Sequence, residues 1–171
     1  MGGNVERAAR RIIHEAALKA NADDLRAETR RVRERLERER VRGRARGTDI
    51  KYGVGGMLDV YFATRYLQLR DNVPDAGHDR STRAVLERLR EAGSINDEDE
   101  RTMKEGYALL RALDHQLRLI VGRSTQLPSA DHPALRDIAR MLGYAAANDL
   151  TESLAEHMQK IRAAYDRITK G

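Results

Sequence analysis

The stretch of sequence that decides the fold is DIKYGVGG at residues 49–56, which continues directly as MLDVYF at residues 57–62. Its three glycines permit backbone angles and close approaches that a side chain would prevent. The second part predicts a helix that runs to about Arg70 and is apolar on nearly all sides, through Met57, Leu58, Val60, Phe62, Ala63, Tyr66, Leu67 and Leu69. Other helices surround a helix of this kind in a folded protein. We therefore expect a glycine loop that opens onto a central helix.

The glycine loop itself allows two interpretations. Free N–H groups and the helix dipole at a helix N-terminus attract anions, and Lys51 would add a positive charge. The glycine spacing, however, is neither that of a P-loop nor that of a dinucleotide-binding loop. A tight turn that packs the central helix against a neighbour explains the same glycines. The candidate site residues in this stretch are Asp49, Lys51, Gly53, Gly55, Gly56 and Asp59.

Composition favours an all-α fold. The chain has 171 residues, of which 35% are charged and only 4% are aromatic, and it has no cysteine. This length fits one domain with a hydrophobic core, and helix-forming residues dominate the composition. We expect a bundle of about six helices around the central one, divided into a long N-terminal helix or helix pair (residues 1–46), the glycine loop (47–56) and the remaining bundle (57–171). Without cysteines there is no disulfide framework and no thiolate metal site.

The ends of the predicted helices follow from capping residues. We expect helix starts at Ser81 or Thr82, at Asn96, at Asp131 with Pro133 just inside, and at Asn148 or Asp149. Gly93, Gly122 and Gly143 are expected to end helices. The long helix after Asn96 should bury a stripe that extends to Ile120 and Val121. The chain has neither a signal peptide nor an apolar run of the length that a membrane helix needs, so a cytoplasmic location is expected.

The net charge of +5 raises the question of a polyanionic partner. Acids and bases nevertheless alternate four residues apart in the first quarter of the chain, which is typical of a solvated helix face, at Arg30/Glu34, Arg33/Glu37, Glu34/Arg38 and Arg35/Glu39. Aromatic residues that could stack on bases are nearly absent there. Residues 41–47 form a basic run that would attract a nearby polyanion. Asp114 and His115 are interpreted as a solvated edge, and no histidine spacing predicts a metal site.

The motif Asp-Ile-Lys-x-Gly-x-Gly-Gly-x-x-Asp-x-x-Phe at residues 49–62 resembles the bacterial glutamine synthetase adenylyltransferase family. Further segments follow in family order: residues 33–40, 66–69, 92–95, 107–111, 114–117 and 155–157. The resemblance covers about residues 22–170. It implies a helical domain from a two-headed enzyme in which each head pairs such a bundle with a nucleotidyltransferase domain. One head transfers AMP from ATP to a tyrosine of glutamine synthetase, the other removes it, and a PII signal protein and glutamine regulate the balance.

In this family, carboxylates of the transferase domain hold Mg²⁺, in a Gly-Ser signature followed by Asp-x-Asp. Residues 93–99 are only superficially similar, and a helix cap with acids on the helix dipole explains them. The catalytic domain is therefore expected to be absent from this chain, which has no catalytic or metal residues of its own. The resemblance places Lys51 and the backbone of Gly55 and Gly56 towards the nucleotide, with Asp59 steadying the loop.

One position departs from the family pattern, which commonly has an acid where this chain has Tyr61. Tyr61 should lie with Thr64, Arg65 and Gln68, on a different helix face from Asp59. Asp59 itself fits the pattern of the adenylylating, C-terminal head better than that of the other. The alternative function is a non-enzymatic helical interaction module that binds a protein or polyanion through its basic N-terminal helix. Neither interpretation involves a nucleic acid or a membrane.

Overall fold

A computed structural model describes residues 22–41, 47–74, 79–122 and 124–170. These residues form six α-helices: α1 (Ala22–Val41), α2 (Met57–Arg70), α3 (Thr82–Glu91), α4 (Asp97–Ile120), α5 (Pro133–Met141) and α6 (Ala147–Lys170). Strand pairing in the described ranges is limited to one isolated antiparallel bridge between Asp49 and Gln126. The predicted all-α class is confirmed. The first part of the predicted N-terminal helix or helix pair, residues 1–21, and most of the basic run, residues 42–46, lie outside the described residues.

Helix α2 is the central helix, as predicted. It packs against α1, α3, α4 and α6, and Val60, Ala63, Tyr66 and Leu67 are almost completely buried. The same burial extends to polar side chains of α2, namely Asp59, Thr64 and Gln68. A buried polar group needs a partner to offset the loss of water, so these three positions deserve separate description.

The two longest helices in the described chain, α4 and α6, have 24 residues each and form its most extensive helix pairing. They approach closely at Gly106, where a Cβ atom would lie only 2.6 Å from Cδ1 of Ile161. The α4 stripe is buried as far as Leu117, but Ile120 and Val121 are 38% and 43% exposed. The prediction that the stripe extends to these two residues is wrong, because α4 reaches the edge of the bundle in its last turn.

Most predicted helix ends are confirmed. Ser81 Oγ accepts a hydrogen bond from the Ala84 N–H at 3.2 Å, and Asn96 Oδ1 accepts one from the Asp99 N–H at 2.8 Å. The acids that follow Asn96 thus belong to a capped helix start. Gly93, Gly122 and Gly143 all adopt positive φ angles after helices.

The cap of α5 differs from the prediction. Its cap is His132 rather than Asp131, and His132 Nδ1 accepts a hydrogen bond from the Ala134 N–H at 3.1 Å. Pro133 occupies the first turn as predicted, and the residue directly before it is therefore the one positioned to cap. Helix α6 begins at Ala147, and Asp149 Oδ2 accepts a hydrogen bond from the Ala146 N–H at 2.9 Å.

Two charged residues that were expected on solvated helix faces, Arg33 and Asp114, lie in the interior. Arg33 is completely buried, because its side of α1 faces α2. Asp114 is 4% exposed, and the Nε atom of Arg118 lies 3.0 Å from its carboxylate. His115 is exposed as expected. None of the helices in the described ranges has the length and apolar content needed to cross a membrane.

Candidate functional site

The glycine loop is organised around the carboxylate of Asp49, which is 3% exposed. Asp49 Oδ1 accepts hydrogen bonds from the N–H groups of Lys51 at 2.9 Å and Tyr52 at 2.8 Å. Its Oδ2 atom accepts one from Thr125 Oγ1 at 2.9 Å. The backbone reinforces this link, since the Ile50 N–H donates to the Thr125 carbonyl at 2.9 Å. Asp49 therefore both shapes the loop and fastens it to the connection between α4 and α5.

Gly55 brings the loop against the backbone of α6. Its φ angle is +71°, and a Cβ atom at this position would lie 1.8 Å from the carbonyl oxygen of Met158. The Gly55 N–H donates to Asp59 Oδ2 at 2.7 Å, which joins the loop to the first turn of α2. Only glycine satisfies both the backbone angle and the close approach, so position 55 is a packing point between the loop and α6.

Seven N–H groups along the loop and the start of α2 already have acceptors within the protein. Lys51, Tyr52 and Gly55 donate to the carboxylates described above. Four further donors bond to loop carbonyls: Gly53 to Asp49, Gly56 to Gly53, Met57 to Ile50 and Leu58 to Lys51. An anion at this loop would therefore be bound by side chains rather than by these amides. The hydrogen bonds are those of a packed turn.

A buried ion pair between Arg33 and Asp59 lies directly beneath the loop, and both side chains are fully buried. The Nε atom of Arg33 donates to Asp59 Oδ1, and Nη2 donates to the Gly53 carbonyl at 2.8 Å. Arg162 of α6 lies 3.5 Å from Asp59 Oδ2. Because both oxygens of Asp59 are engaged, this carboxylate connects α1, the loop, α2 and α6 at one point.

Further charges surround this pair and balance it. Arg162 lies 3.4 Å from Glu37 and 3.4 Å from Asp166, and Arg30 also lies 3.4 Å from Asp166. Burial alone would raise the pKa of the Asp166 carboxyl, but the charge of Arg162 and a hydrogen bond from Lys170 outweigh burial and hold the pKa below its usual value. Lys170 also pairs with Asp166, and Glu34 pairs with Arg30, so four cations face four carboxylates: Arg30, Arg33, Arg162 and Lys170 against Glu34, Glu37, Asp59 and Asp166. The network leaves no net charge for a ligand.

The outward side of the loop has a different character. The Lys51 Nζ atom lies 5.4 Å from the centre of the Tyr52 ring, and the Arg40 guanidinium lies 5.7 Å from it. The ion pairs of the described residues include neither Lys51 nor Arg40. The loop and the last turn of α1 thus present two cations and an aromatic ring above a neutral, buried network.

The structure brings the six predicted site residues into one region. Their backbone N–H groups are, however, largely bonded within the protein and do not form the anion-binding loop that the first interpretation requires. Sequence reasoning missed Arg33, the main partner of Asp59. One signal could have identified it: Arg33 is four residues after Thr29 and three before Leu36, on the stripe that packs inward. A carboxylate on an otherwise apolar helix also requires a buried cation. No group of His, Cys, Asp or Glu in the described parts of the chain could hold a metal ion.

The family of the chain is decided by a match across nearly the whole bundle. The family model described as GlnD PII-uridylyltransferase matches residues 23–169. The chain belongs to this family. The match begins in the first turn of α1 and ends in the last turn of α6. The six helices of the described chain are therefore the part that the family shares.

Curated relatives of this family member are named bifunctional glutamine synthetase adenylyltransferase/adenylyl-removing enzyme. The one from Mycobacterium marinum is 39% identical over 121 residues, which is 69% of this chain and 12% of the relative. The one from Stenotrophomonas maltophilia is 34% identical over 118 residues, 68% of this chain and 13% of the relative. The one from Streptomyces coelicolor is 30% identical over 150 residues, 85% of this chain and 15% of the relative.

The resemblance inferred from the residues 49–62 motif is confirmed by these relatives. The chain spans only 12–15% of the length of the relatives it matches. Their names thus describe much larger proteins, of which this family member corresponds to one helical part.

Proposed function

We propose that this chain is the helical domain of a glutamine synthetase adenylyltransferase, which completes the nucleotide site of a separate nucleotidyltransferase domain and is not active alone. The whole enzyme would transfer AMP from ATP to a tyrosine of glutamine synthetase, or remove it, in the cytoplasm and under PII control. Asp59 favours the adenylylating head. The observation that carries the proposal is the cationic outer edge of the loop, formed by Lys51, Arg40 and the Tyr52 ring.

The buried network supports this role by fixing the position of the loop. Nucleotidyl transfer depends mainly on positioned charges that stabilise the phosphates as negative charge develops. A lysine contributes most when its backbone does not have to reorganise. The amide of Lys51 is bonded to Asp49, which is itself bonded to Thr125. Lys51 would therefore meet the phosphates of ATP from a fixed loop.

The catalytic Mg²⁺ in this proposal is held by carboxylates of the transferase domain. Asp49 and Asp59 do not fit that role, because both oxygens of each carboxylate are already engaged within the bundle. The contribution of this chain is thus positive charge and a rigid surface.

A chimeric enzyme tests the proposal. Residues 23–169 of this chain would replace the matching segment of the Mycobacterium marinum relative, and AMP incorporation into glutamine synthetase would be measured. We expect activity that falls about tenfold or more with Lys51→Ala, since a charged contact to a phosphate is worth roughly 1.5–3 kcal/mol. Lys160→Ala is the matched control, because Lys160 is exposed and pairs only with Glu156 among the described residues. Equal activity of the Lys51→Ala chimera and the parent chimera would contradict the role of Lys51.

If the chimera does not fold, the isolated chain and its Lys51→Ala variant are titrated in parallel with Mg·ATP instead. Binding that depends on Lys51 supports a nucleotide-facing loop. Binding of heparin without any response to Mg·ATP would instead support the alternative, a non-enzymatic module that recognises polyanions or proteins.

A further inference from the structure

A second polar region lies between α2 and the start of α3. It is a recess of about 240 Å³ lined by Tyr61, Thr64, Arg65, Gln68, Arg80, Thr82 and Val85. As the helical spacing predicts, the first four residues share one face of α2, and Asp59 lies on a different face. The recess is therefore separate from the Arg33–Asp59 network and from the glycine loop.

Gln68 is one of the residues that line this recess, and it has a buried donor without an acceptor among the described residues. Its side chain is 3% exposed, and its Oε1 atom accepts a hydrogen bond from Arg65 Nη1 at 3.1 Å. Its Nε2 atom is buried and has no hydrogen-bond partner in the described part of the chain. A buried donor left without an acceptor is costly, and buried polar groups in folded proteins almost always have partners. The acceptor for this amide is therefore expected to come from beyond the residues that the structure describes.

The other groups around the recess are also suited to a negatively charged acceptor. Arg65 supplies positive charge, Arg80 lies at the rim, and no carboxylate is among the lining residues that the structure describes. The described residues place no carboxylate in an ion pair with Arg65. Thr82 is the first residue of the ten-residue helix α3, whose positive dipole end thus borders the recess. Tyr61 is 53% exposed at the rim and carries no charge near neutral pH.

We propose that this recess binds a compact oxyanion, namely a phosphate group, through the Gln68 amide and the Arg65 guanidinium, with Arg80 at the rim. The guanidinium fork and the amide N–H groups match the several acceptor oxygens of a phosphate. The volume is below the roughly 300–1,000 Å³ of pockets for larger organic ligands. This site goes beyond the proposed nucleotidyl-transfer function and does not depend on it.

The test is a calorimetric titration of the full chain at constant ionic strength with inorganic phosphate, AMP and ATP in separate arms. We expect phosphate to bind, and Arg65→Gln and Gln68→Leu to weaken binding about tenfold each, because each removes a donor to a charged ligand. Arg140→Gln is the control, since Arg140 is exposed on α5 and distant from the recess in sequence. Circular dichroism establishes that each variant is folded.

The source of the phosphate group is distinguished by the three arms. Stronger binding of AMP or ATP than of inorganic phosphate, still dependent on Arg65, would assign the recess to a nucleotide phosphate. Similar affinities would assign it to free phosphate. A rim substitution gives an independent check: Tyr61→Glu should weaken binding by adding a like charge, whereas Tyr61→Phe should not.

The proposal is overturned if none of the three ligands binds. It is also overturned if binding is unchanged in both Arg65→Gln and Gln68→Leu, or if Arg140→Gln weakens it equally. Loss of ATP binding in Lys51→Ala alone would concern the glycine loop and leave this recess unaffected, so the two proposals can fail separately.

Discussion

The two polar faces of α2 differ in how completely their buried groups are paired. On one face, Asp59 has both oxygens engaged by Arg33, Gly55 and Arg162. On the other, Gln68 has an amide nitrogen without a partner among the residues that the structure describes. The first arrangement holds α1, the loop and α6 together, and the second leaves one buried donor unsatisfied among the described residues. The comparison teaches that burial of a polar residue does not itself indicate function. The balance of donors and acceptors around it does.

The largest effect is expected from breaking the paired face. Asp59→Ala leaves Arg33 as a buried charge without its main partner, which costs about 3–5 kcal/mol of the free energy of unfolding. Urea denaturation followed by circular dichroism measures this loss. Asp137→Ala is the control, because Asp137 is 57% exposed and its ion pair with Arg140 is long, at 3.8 Å. A loss below about 1 kcal/mol for Asp59→Ala would refute the structural role of the pair.

Alanine substitutions at Gly55 and Gly93 distinguish the cost of backbone strain from the cost of packing at the loop. Gly55 and Gly93 both have φ of +71°, but a Cβ atom meets Met158 at position 55 and nothing within 4 Å at position 93. Gly93→Ala should cost about 1–2 kcal/mol, the price of the left-handed backbone. Gly55→Ala should cost a further 1–3 kcal/mol because α6 must shift. Equal midpoints in urea denaturation of the two variants would show that the loop does not press on α6.

Replacing Gln68 by an apolar side chain should change the free energy of unfolding less than the substitutions at Asp59 and Gly55, and in the opposite direction. Gln68→Leu removes a buried donor that has no acceptor, so the free energy of unfolding should be unchanged or rise by up to about 1 kcal/mol. The partner of Gln68, Arg65, is only partly buried and can turn towards water. A loss of 2 kcal/mol or more in urea denaturation would mean that the amide is already satisfied within the fold.

The smallest effect concerns pH and the outer part of the network. The pKa of Asp166 is lowered in the folded chain from an ordinary value of 3.8. The carboxylate therefore stabilises the fold above about pH 4, and this contribution is lost as the pH falls through the lowered pKa. Thermal unfolding at pH 7, 5, 4 and 3 should show a weaker decrease between pH 4 and 3 for Asp166→Asn than for the unmodified chain. Parallel curves would contradict the assigned pairing.

The sequence predicted the features that depend on near neighbours. The central helix, the caps at Ser81 and Asn96 and the glycine helix ends all follow from residues within about four positions of one another. The cap of α5, predicted at Asp131 and observed at His132, shows the limit of this reasoning. Both side chains can accept a hydrogen bond, and only the position of Pro133 in the first turn selects His132.

The candidate site could be located from the sequence but not described chemically. The motif at residues 49–62 identified the loop, yet Arg33 looked like part of a solvated charge pattern because its partner Asp59 is 26 residues away. Asp114 was misjudged since helical spacing alone does not give the depth of a residue in the bundle. Whether the Gln68 amide finds a partner depends on the residues of α3 that pack beside α2. No local sequence pattern predicts those contacts.

The link between Asp49 and Thr125 also has a consequence for the order of folding. These residues are 76 positions apart, and helices α2, α3 and α4 lie between them. Contacts of such long sequence separation form after local ones, because the intervening chain must first be ordered. The loop should therefore acquire its final shape only when the rest of the bundle is in place. Hydrogen exchange at the Ile50 and Leu127 amides, which bond across this junction, would then report the last step of folding.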